Sequence, residues 1–326
     1  MARAWKARGS NPSQVRVLSP PLIMSSRTKA LMAIIGASLL WSTAGVSKIV
    51  VREFDPFTAA FIRFAIASIV ILPIFLTRNR IRIHTLLRLV PLSLLSTANI
   101  IFFYLGVRTS TANAASMIYA GVPLVTMLLA QRFINEKITH RKIFGILIGL
   151  LGVLCVAVLP SLGTGETISG DMQGNIFYLC AVAGWSLYIV GSRKAIAQDN
   201  ISPLELSAAA IFTSTVVFST LALFFYQAHY TPALTQPNMI LLFLYLGIFI
   251  TVVPYLLFQW AIKHSSATTP SLKQYLEAVF SVLFNILFLG EVATPGFVAG
   301  SALVFIGLFA TTGSAVIQEA RLWLKR

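Results

Sequence analysis

Two ionisable residues, Lys273 and Glu277, lie within one strongly apolar segment of the sequence. Their spacing puts both side chains on one face of a helix, where the charges can pair, although lysine before glutamate is the weaker order. If the segment crosses a membrane, each charge costs about 2.5–3.5 kcal/mol at its centre, so ionisable groups there usually mark a pathway. We therefore predict that Lys273 binds an anionic group of a ligand and that Glu277 carries a proton or binds an amine. The alternative is a pair that only neutralises itself.

Uncharged polar and aromatic residues recur at helical spacing in other apolar segments, as in the pairs Trp185 with Tyr188 and Tyr255 with Gln259. A ring with a polar tip suits an amphipathic ligand, because the ring covers the apolar part and the OH or NH orients it. Core packing and interfacial anchoring are the alternatives. The predicted substrate-binding residues are Trp41, Asn99, Asn113, Tyr119, Trp185, Tyr188, Tyr255, Gln259, Lys273 and Glu277.

The same segments contain little that an enzyme would need. The four histidines lie at segment ends or between segments, and no aspartate lies inside one. No His-x-x-x-His or Glu-x-x-His spacing is present for a metal, and no base accompanies a buried serine. A Gly-x-x-x-x-Gly-Lys-[Ser/Thr] loop is absent too, which argues against an ATP-driven pump. We expect no catalytic residue, cofactor or metal, and an intramembrane enzyme is the least favoured class.

The composition is that of a membrane protein. Of 326 residues, 57% are hydrophobic and 11% are charged, whereas a soluble domain has about 25% charged residues. The mean hydropathy is +0.82. Both cysteines lie in apolar segments, so no disulfide framework is expected.

Ten apolar segments approach the roughly 20 residues that a helix needs to cross a bilayer. They are continuously apolar, unlike the alternating strands of a β-barrel, and their connections are too short for a soluble domain. The predicted fold is an all-α polytopic membrane protein with ten transmembrane helices. The segments are Ala30–Val51, Phe57–Leu76, Leu86–Val107, Ala112–Phe133, Ile143–Leu159, Asn175–Gly191, Leu206–Tyr226, Met239–Ile262, Ala267–Leu289 and Phe297–Ile317.

Lys and Arg are distributed very unevenly among the connections. If the N-terminus is cytoplasmic, nearly all basic residues of the tails and connections lie inside, and only Arg52 and Arg108 fall in external loops. The positive-inside rule then places both termini in the cytoplasm. This bias accounts for the net charge of +15 without nucleic acid as a partner. The predicted location is the inner or plasma membrane of the cell, with the lipid bilayer as a partner.

Both ends of the chain are predicted to lie outside the helical region. Residues 1–27 are basic and contain prolines, and they lack the apolar core of a secretory signal. We interpret them as a disordered tail or an extension from an upstream start, with Met24 favoured as the natural start. Residues 318–326 are interpreted as a basic cytoplasmic tail.

The sequence also contains an internal repeat, which predicts one five-helix unit over 28–160 and a second over 174–317. A shorter offset aligns Trp41-Ser42 with Trp185-Ser186. An offset of 155 residues aligns Glu136 with Glu291, Gly145 with Gly300 and Gly152 with Gly307.

An odd number of helices per unit has a physical consequence. If the first unit begins in the cytoplasm, it ends outside, and the second unit must insert in the opposite orientation. Inverted repeats meet at the membrane midplane, where secondary transporters bind their substrates and alternate between inward-open and outward-open states.

The residues resemble those of the EamA-type members of the drug/metabolite transporter superfamily over nearly all of Thr28–Ile317. One departure is Glu277-Ala278, where the second half of family members often has Glu-Pro. The resemblance implies ten helices in two inverted repeats, and transport of small metabolites without an ATP-binding part. It rests on Trp41-Ser42, Arg63-Phe64, Pro123, Asn135-Glu136, Gly290-Glu291 and the glycines Gly145, Gly149, Gly152, Gly300 and Gly307.

The predicted function is that of a secondary active transporter for a small-molecule substrate such as an amino acid or a similar amphipathic solute, with export as one direction. The alternative is a facilitative exchanger of nucleotides, sugars or phosphorylated metabolites. If Trp185 and Tyr255 contact the ligand, alanine at either position is expected to weaken uptake and leave the melting temperature near normal.

Two further features have structural interpretations. Glycines at four-residue spacing allow helices to approach closely, either within one chain or between two copies. Packing within one chain is favoured, and the protein is expected to be a monomer or a homodimer. Arg63 is predicted to snorkel or to bind backbone carbonyls, with a structural role.

Overall fold

The computed structural model describes residues 26–43, 50, 53–78, 83–110, 112–158, 171–225, 236–289 and 295–324. All regular secondary structure in these ranges is helical. One π-helical turn covers Ile248–Val252. The α-helices are α1 (Ser26–Ser42), α2 (Pro56–Arg78), α3 (Ile83–Thr109), α4 (Ala112–Tyr119), α5 (Val122–Ile134), α6 (His140–Val158), α7 (Met172–Gln198), α8 (Pro203–Phe225), α9 (Pro237–Gly247), α10 (Val253–His264), α11 (Thr268–Ser271), α12 (Lys273–Leu289) and α13 (Pro295–Leu324).

Six helical stretches among the described residues are long and apolar enough to cross a membrane. Their outer faces expose large apolar side chains, including Ile69, Leu223 and Phe224. Such a surface is stable in lipid but unfavourable in water, so the chain is a polytopic helical membrane protein. The six stretches are Pro56–Thr77, Ile83–Gly106, Met117–Ile134, Met172–Gln198, Pro203–Phe224 and Pro237–His264, and shorter apolar helices cover Thr28–Ser42 and Val298–Thr312.

Three segments predicted as single helices are broken in the structure. The segment Ala112–Phe133 is interrupted between α4 and α5, next to Pro123. The segment Met239–Ile262 is interrupted by the π-helical turn, which ends at Val252, two residues before Pro254. The segment Ala267–Leu289 is interrupted between α11 and α12, just after Pro270. Proline lacks the N–H that an uninterrupted helix requires, and this accounts for the interruptions before Pro123 and Pro254, which hydropathy alone did not predict. The interruption at Leu272 follows Pro270, so the missing N–H of this proline does not explain it.

The sixth predicted segment, Asn175–Gly191, was too short. It corresponds to α7, which begins earlier because the Asp171 carboxylate accepts hydrogen bonds from the backbone N–H groups of Gln173 at 2.9 Å and Gly174 at 3.4 Å. These bonds satisfy donors that a helix N-terminus leaves free. The longer helix holds Trp185 and Tyr188 near its centre, on the side that packs against α3 and α5.

The glycine spacing of the sequence produces a close contact between α6 and α13. A β-carbon added at Gly145 would lie 2.6 Å from the carbonyl oxygen of Gly307, and one added at Gly152 would lie 2.6 Å from that of Gly300. Real side chains do not approach backbone atoms so closely. The glycines therefore pack two helices of the same chain, as the favoured interpretation predicted.

We expect Gly307→Ala to lower the melting temperature of the purified protein by several degrees. The new methyl group would meet the backbone of Gly145 at 2.5 Å and that of Gly149 at 2.6 Å, and overpacking of this kind costs about 1–3 kcal/mol. Gly36→Ala is the matched control, because its nearest neighbour would be Leu257 Cδ1 at 3.5 Å. Equal melting temperatures for the two variants would contradict the packing.

Candidate functional site

Lys273 is the first residue of α12 and is only 5% exposed. Its ammonium donates hydrogen bonds to Glu277 Oε1 at 2.8 Å and to Gln274 Oε1 at 2.6 Å. The predicted pairing of Lys273 with Glu277 is therefore present in the structure. The Glu277 side chain is more accessible than the lysine, with 19% of it exposed against 6%.

Three aromatic rings surround the ammonium on its other sides. Lys273 Nζ lies 4.1 Å from the ring centroid of Trp41, 5.2 Å from that of Trp185 and 5.8 Å from that of Phe258. At these distances the negative faces of aromatic rings attract a cation. We call Trp41, Trp185 and Phe258 the aromatic cage. Its walls come from α1, α7 and α10, so three separate helices position one charge.

The rings of the cage also hold one another in place. Trp185 stacks on Phe258 with centroids 5.4 Å apart, and Trp41 meets Phe258 edge-on at 5.5 Å. Trp41 makes further edge contacts with Trp185 at 6.1 Å and with Tyr255 at 5.9 Å. Offset and edge-to-face pairs of this kind add about 0.5–1.5 kcal/mol each beyond their buried area. The cage is therefore a preformed, ordered unit.

The break in the eighth predicted segment anchors Trp41. Pro254 has no N–H, so the carbonyl of Ile250 lacks its usual partner four residues along the helix. Trp41 Nε1 donates to this carbonyl at 3.1 Å, and Arg63 Nη2 donates to it at 3.0 Å. Arg63 Nε also donates to Thr251 Oγ1 at 2.6 Å. Arg63 thus binds a backbone carbonyl, one of the two predicted behaviours, and fixes the helix against which Trp41 rests.

Further polar residues of the predicted set form hydrogen bonds beside the cage. Tyr255 pairs with Ser96 through hydroxyl oxygens 3.0 Å apart. Gln259 Nε2 donates to the Tyr188 hydroxyl at 2.8 Å and to Ser192 Oγ at 3.2 Å. These bonds connect α10 to α3 and α7 around the aromatic rings.

Asn99 lies on α3 and donates from Nδ2 to the Tyr119 hydroxyl at 2.8 Å and to the Ala181 carbonyl at 2.9 Å. Tyr119 packs against the same core cluster as Trp185 and Tyr255. Asn99 and Tyr119 therefore belong to the layer next to the cage. The Asn113 side chain lies outside the part of the structure that is described.

Two buried polar atoms at the site have no hydrogen-bond partner among the described residues. One is the indole nitrogen of Trp185, a donor, and the other is Gln259 Oε1, an acceptor. Buried polar groups are normally paired, so an unpaired donor on the cage wall is an available contact for a ligand.

Sequence reasoning missed Phe258, Gln274 and Ser96. Phe258 comes three residues after Tyr255 and directly before Gln259, so the helical spacing that indicated those two residues places it on the same face. Gln274 follows Lys273 directly and had no comparable signal.

A second charged cluster joins the end of α5 to the start of α11. Lys142 Nζ donates to Glu136 Oε1 at 2.8 Å, and the backbone N–H of Ala267 donates to Glu136 Oε2 at 2.9 Å. Burial alone would raise the pKa of Glu136, but Lys142 and the Ala267 N–H favour its charged form and leave the pKa below the ordinary value of 4.5. Glu136 thus links the two halves of the chain outside the apolar helices.

A lowered pKa makes the stabilising effect of Glu136 depend on pH. We expect the wild type to melt above Glu136→Gln at neutral pH. The difference in melting temperature should shrink as the pH falls below the unfolded-state pKa of about 4.3. It should vanish below the lower pKa of the folded state, because Glu136 is then protonated in both the folded and the unfolded protein. Asp199→Asn is the control, since Asp199 forms an exposed pair with Arg88. A difference that does not change with pH would contradict the ion pair.

Known proteins share both the sequence pattern and the fold. The EamA-like transporter family matches residues 28–158 and 172–313. An uncharacterized transporter of Clostridium kluyveri is 27% identical over 302 residues, 86% of this chain and 91% of that one. A WAT1-related protein of Arabidopsis thaliana is 24% identical over 316 residues, 88% of this chain and 91% of that one. A solved crystal structure, 18% identical, matches with a TM-score of 0.75 over 91% of this chain and 99% of the other, and so shares its fold.

The two matched segments cover most of the chain and include every residue of the cage. They also include Lys273, Glu277, Arg63 and Glu136. This match agrees with the resemblance noted from the sequence and points to a transporter, not an enzyme. The chain therefore belongs to the EamA-like transporter family and is an integral membrane protein.

Proposed function

We propose that the protein is a secondary active transporter that moves a small amphipathic metabolite, such as an amino acid, by alternating access. One observation supports this most strongly: the Lys273 ammonium, which pairs with Glu277, lies inside an aromatic cage built from both matched segments. Trp41 comes from the first segment, and Trp185 and Phe258 come from the second. Relative movement of the two segments would therefore open the cage, as a carrier with a site at its repeat interface requires.

We further propose ten transmembrane helices arranged as two inverted repeats of five. In this scheme α1 corresponds to α7, α2 to α8, α3 to α9 with α10, α4 with α5 to α11 with α12, and α6 to α13. The contacts between helices support the scheme, because each main contact either joins corresponding helices or has a counterpart when the halves are exchanged. Two contacts join corresponding helices: α2 packs on α8, and α6 packs on α13. Three other contacts have a counterpart: α3–α7 corresponds to α10–α1, α5–α7 corresponds to α12–α1, and α3–α8 corresponds to α9–α2.

In the proposed cycle, Glu277 exchanges a proton, or a cationic group of the substrate, between the inward-open and outward-open states. Lys273 binds an anionic group of the substrate at the same time. The rings of the cage contact the apolar part of the substrate, and Tyr255 and Gln259 lie beside them. The contact between Glu136 and Ala267 joins the two halves on one side of the site. It would have to break when that side opens.

The proposed orientation places both termini in the cytoplasm of the cell that holds the protein in its inner or plasma membrane. We expect a cysteine at position 53 to react with an impermeant thiol reagent added outside, and a cysteine at position 137 to be protected. Glu53 and Lys137 are both exposed in the structure, so burial does not explain the difference. The test uses protein lacking Cys155 and Cys180. The reverse labelling pattern would overturn the orientation.

The substrate can be identified from the purified protein. A ligand that binds the folded state raises its melting temperature, so a thermal-shift screen of amino acids, amines, nucleotides and sugars tests for candidates. A solute that stabilises the protein should then enter proteoliposomes faster than it enters liposomes without protein. Stabilisation with no protein-dependent flux of that solute would contradict the proposed function.

A further inference from the structure

The surroundings of the Lys273 ammonium are those of a binding site for an ammonium ligand. Three aromatic faces lie 4.1 Å, 5.2 Å and 5.8 Å from the nitrogen. A carboxylate oxygen of Glu277 lies at 2.8 Å and an amide oxygen of Gln274 at 2.6 Å. Aromatic cages are a recurring means of recognising ammonium ligands, and the two oxygens accept hydrogen bonds from this ammonium. Here the occupant is attached to the chain.

We propose that Lys273 is a tethered stand-in for a ligand, and that the ammonium group of the transported solute takes its place in the cage. The inference rests on the proposed function and adds that the ammonium of the solute displaces that of Lys273 from the cage. Lys273 has the means to leave, because it is the first residue of α12, after the break at Leu272, and its side chain is long and flexible.

Charge balance determines what else the ligand brings. A buried charge whose partner has been removed is strongly destabilising. When a ligand ammonium pairs with Glu277, the displaced Lys273 needs a new anionic partner in the same low-dielectric region. A ligand with both an ammonium and an anionic group replaces each member of the pair and leaves no charge uncompensated. An amine without an acid, or an acid without an amine, leaves one charge unpaired.

The unpaired indole N–H of Trp185 supports the same class of ligand independently. It lies on the cage wall, on a residue that is 5% exposed, and has no acceptor among the described residues. An anionic group beside the displaced lysine would supply that acceptor. The site thus fits a small zwitterion whose two charges are a few bonds apart and whose apolar part contacts aromatic rings.

Methylammonium tests the stand-in directly, because it is the end of a lysine side chain without its tether. We expect methylammonium to raise the melting temperature of Lys273→Ala and to change its tryptophan fluorescence. The wild type should respond at least about tenfold more weakly, since its own lysine competes at a high effective concentration. Lys273→Ala combined with Glu277→Gln should not respond, and neither should Lys263→Ala, in which an exposed lysine is removed.

A folded Lys273→Ala protein that does not bind methylammonium would overturn the proposal. The proposal is also wrong if Lys273→Ala fails to fold in saturating methylammonium while Lys273→Gln folds. Methylammonium supplies the functional group that the alanine variant lacks, so it should restore folding. Neither measurement depends on transport. If the protein binds methylammonium but moves no solute, the ammonium site is supported and the proposed transport function is wrong.

Discussion

Replacement of Glu277 by glutamine is expected to abolish solute accumulation driven by a pH gradient, while exchange between equal pools stays partly active. Glu277 is the carboxylate that pairs with Lys273 at 2.8 Å inside the apolar helices. Glutamine keeps the size and an oxygen that accepts from Lys273, but it cannot take up a proton or balance a cation. Coupling should therefore fail, whereas the rings that contact the solute stay in place.

The measurement is uptake into proteoliposomes with and without an imposed pH gradient. Glu136→Gln is the matched control, because Glu136 lies in the connection between α5 and α6, outside the cage. It should lower stability and, because it weakens a contact that breaks when one side opens, change the rate of exchange, but it should retain coupling. If Glu277→Gln still concentrates the solute on a pH gradient, Glu277 is only the structural partner of Lys273, and the coupling role is wrong.

The two tryptophans of the cage are expected to differ when each is replaced by phenylalanine. Trp41→Phe removes the N–H that pairs with the Ile250 carbonyl at 3.1 Å. The carbonyl keeps its hydrogen bond from Arg63, so the loss is the net value of one hydrogen bond, about 0.5–1.5 kcal/mol, and the melting temperature should fall. Trp185→Phe removes an N–H that has no partner among the described residues and keeps a ring that can stack on Phe258. Its melting temperature should fall less than that of Trp41→Phe, because both variants lose the same ring volume but only Trp41→Phe loses a hydrogen bond.

Ligand affinity should fall more in Trp185→Phe than in Trp41→Phe. If the Trp185 N–H contacts the solute, Trp185→Phe weakens binding by roughly two- to tenfold, the value of one hydrogen bond. Thermal denaturation and ligand titration on the same samples separate the two effects. Trp185→Phe with unchanged affinity would show that this N–H does not contact the solute. Equal melting temperatures for both variants would contradict the anchoring of Trp41.

The structure changes which substitutions test the site. From the sequence, alanine at Trp185 or Tyr255 was expected to weaken uptake with a near-normal melting temperature. Both side chains are buried, with 5% and 4% exposed, and both contact other rings. Alanine would leave a cavity, and truncation of a buried aromatic residue costs about 3–5 kcal/mol. The phenylalanine variants keep an aromatic ring and therefore avoid most of this loss of stability.

The pairing of Lys273 with Glu277 was predictable because its signals are local. Lys273 and Glu277 are rare charges in an apolar segment, and their spacing implies one helical face. The two Trp-Ser pairs repeat along the chain. The partners of these residues are not local, since Trp41 reaches Ile250 on a different helix. Nothing in the sequence around Trp41 identifies that carbonyl.

Phe258 shows the other limit of sequence reasoning. It is one of 23 phenylalanines, and a ring that lines a site cannot be distinguished by type from one that packs in the core. Only assembly of α1, α7, α10 and α12 brings it within 5.8 Å of the ammonium. Two helix breaks were missed for a related reason: hydropathy continues through Pro123 and Pro254, whereas backbone hydrogen bonding does not.

The central claim is that the caged Lys273 and its partner Glu277 form the site of a carrier, and counterflow in proteoliposomes tests this claim most directly. Proteoliposomes are loaded with unlabelled solute that stabilises the wild type and diluted into a trace of the labelled solute. The wild type should give a transient peak of internal label. Protein with Lys273→Ala and Glu277→Ala together, which leaves no unpaired charge, should give none at equal reconstitution. A wild type that binds the solute without a peak, or a double variant with an undiminished peak, would contradict the account.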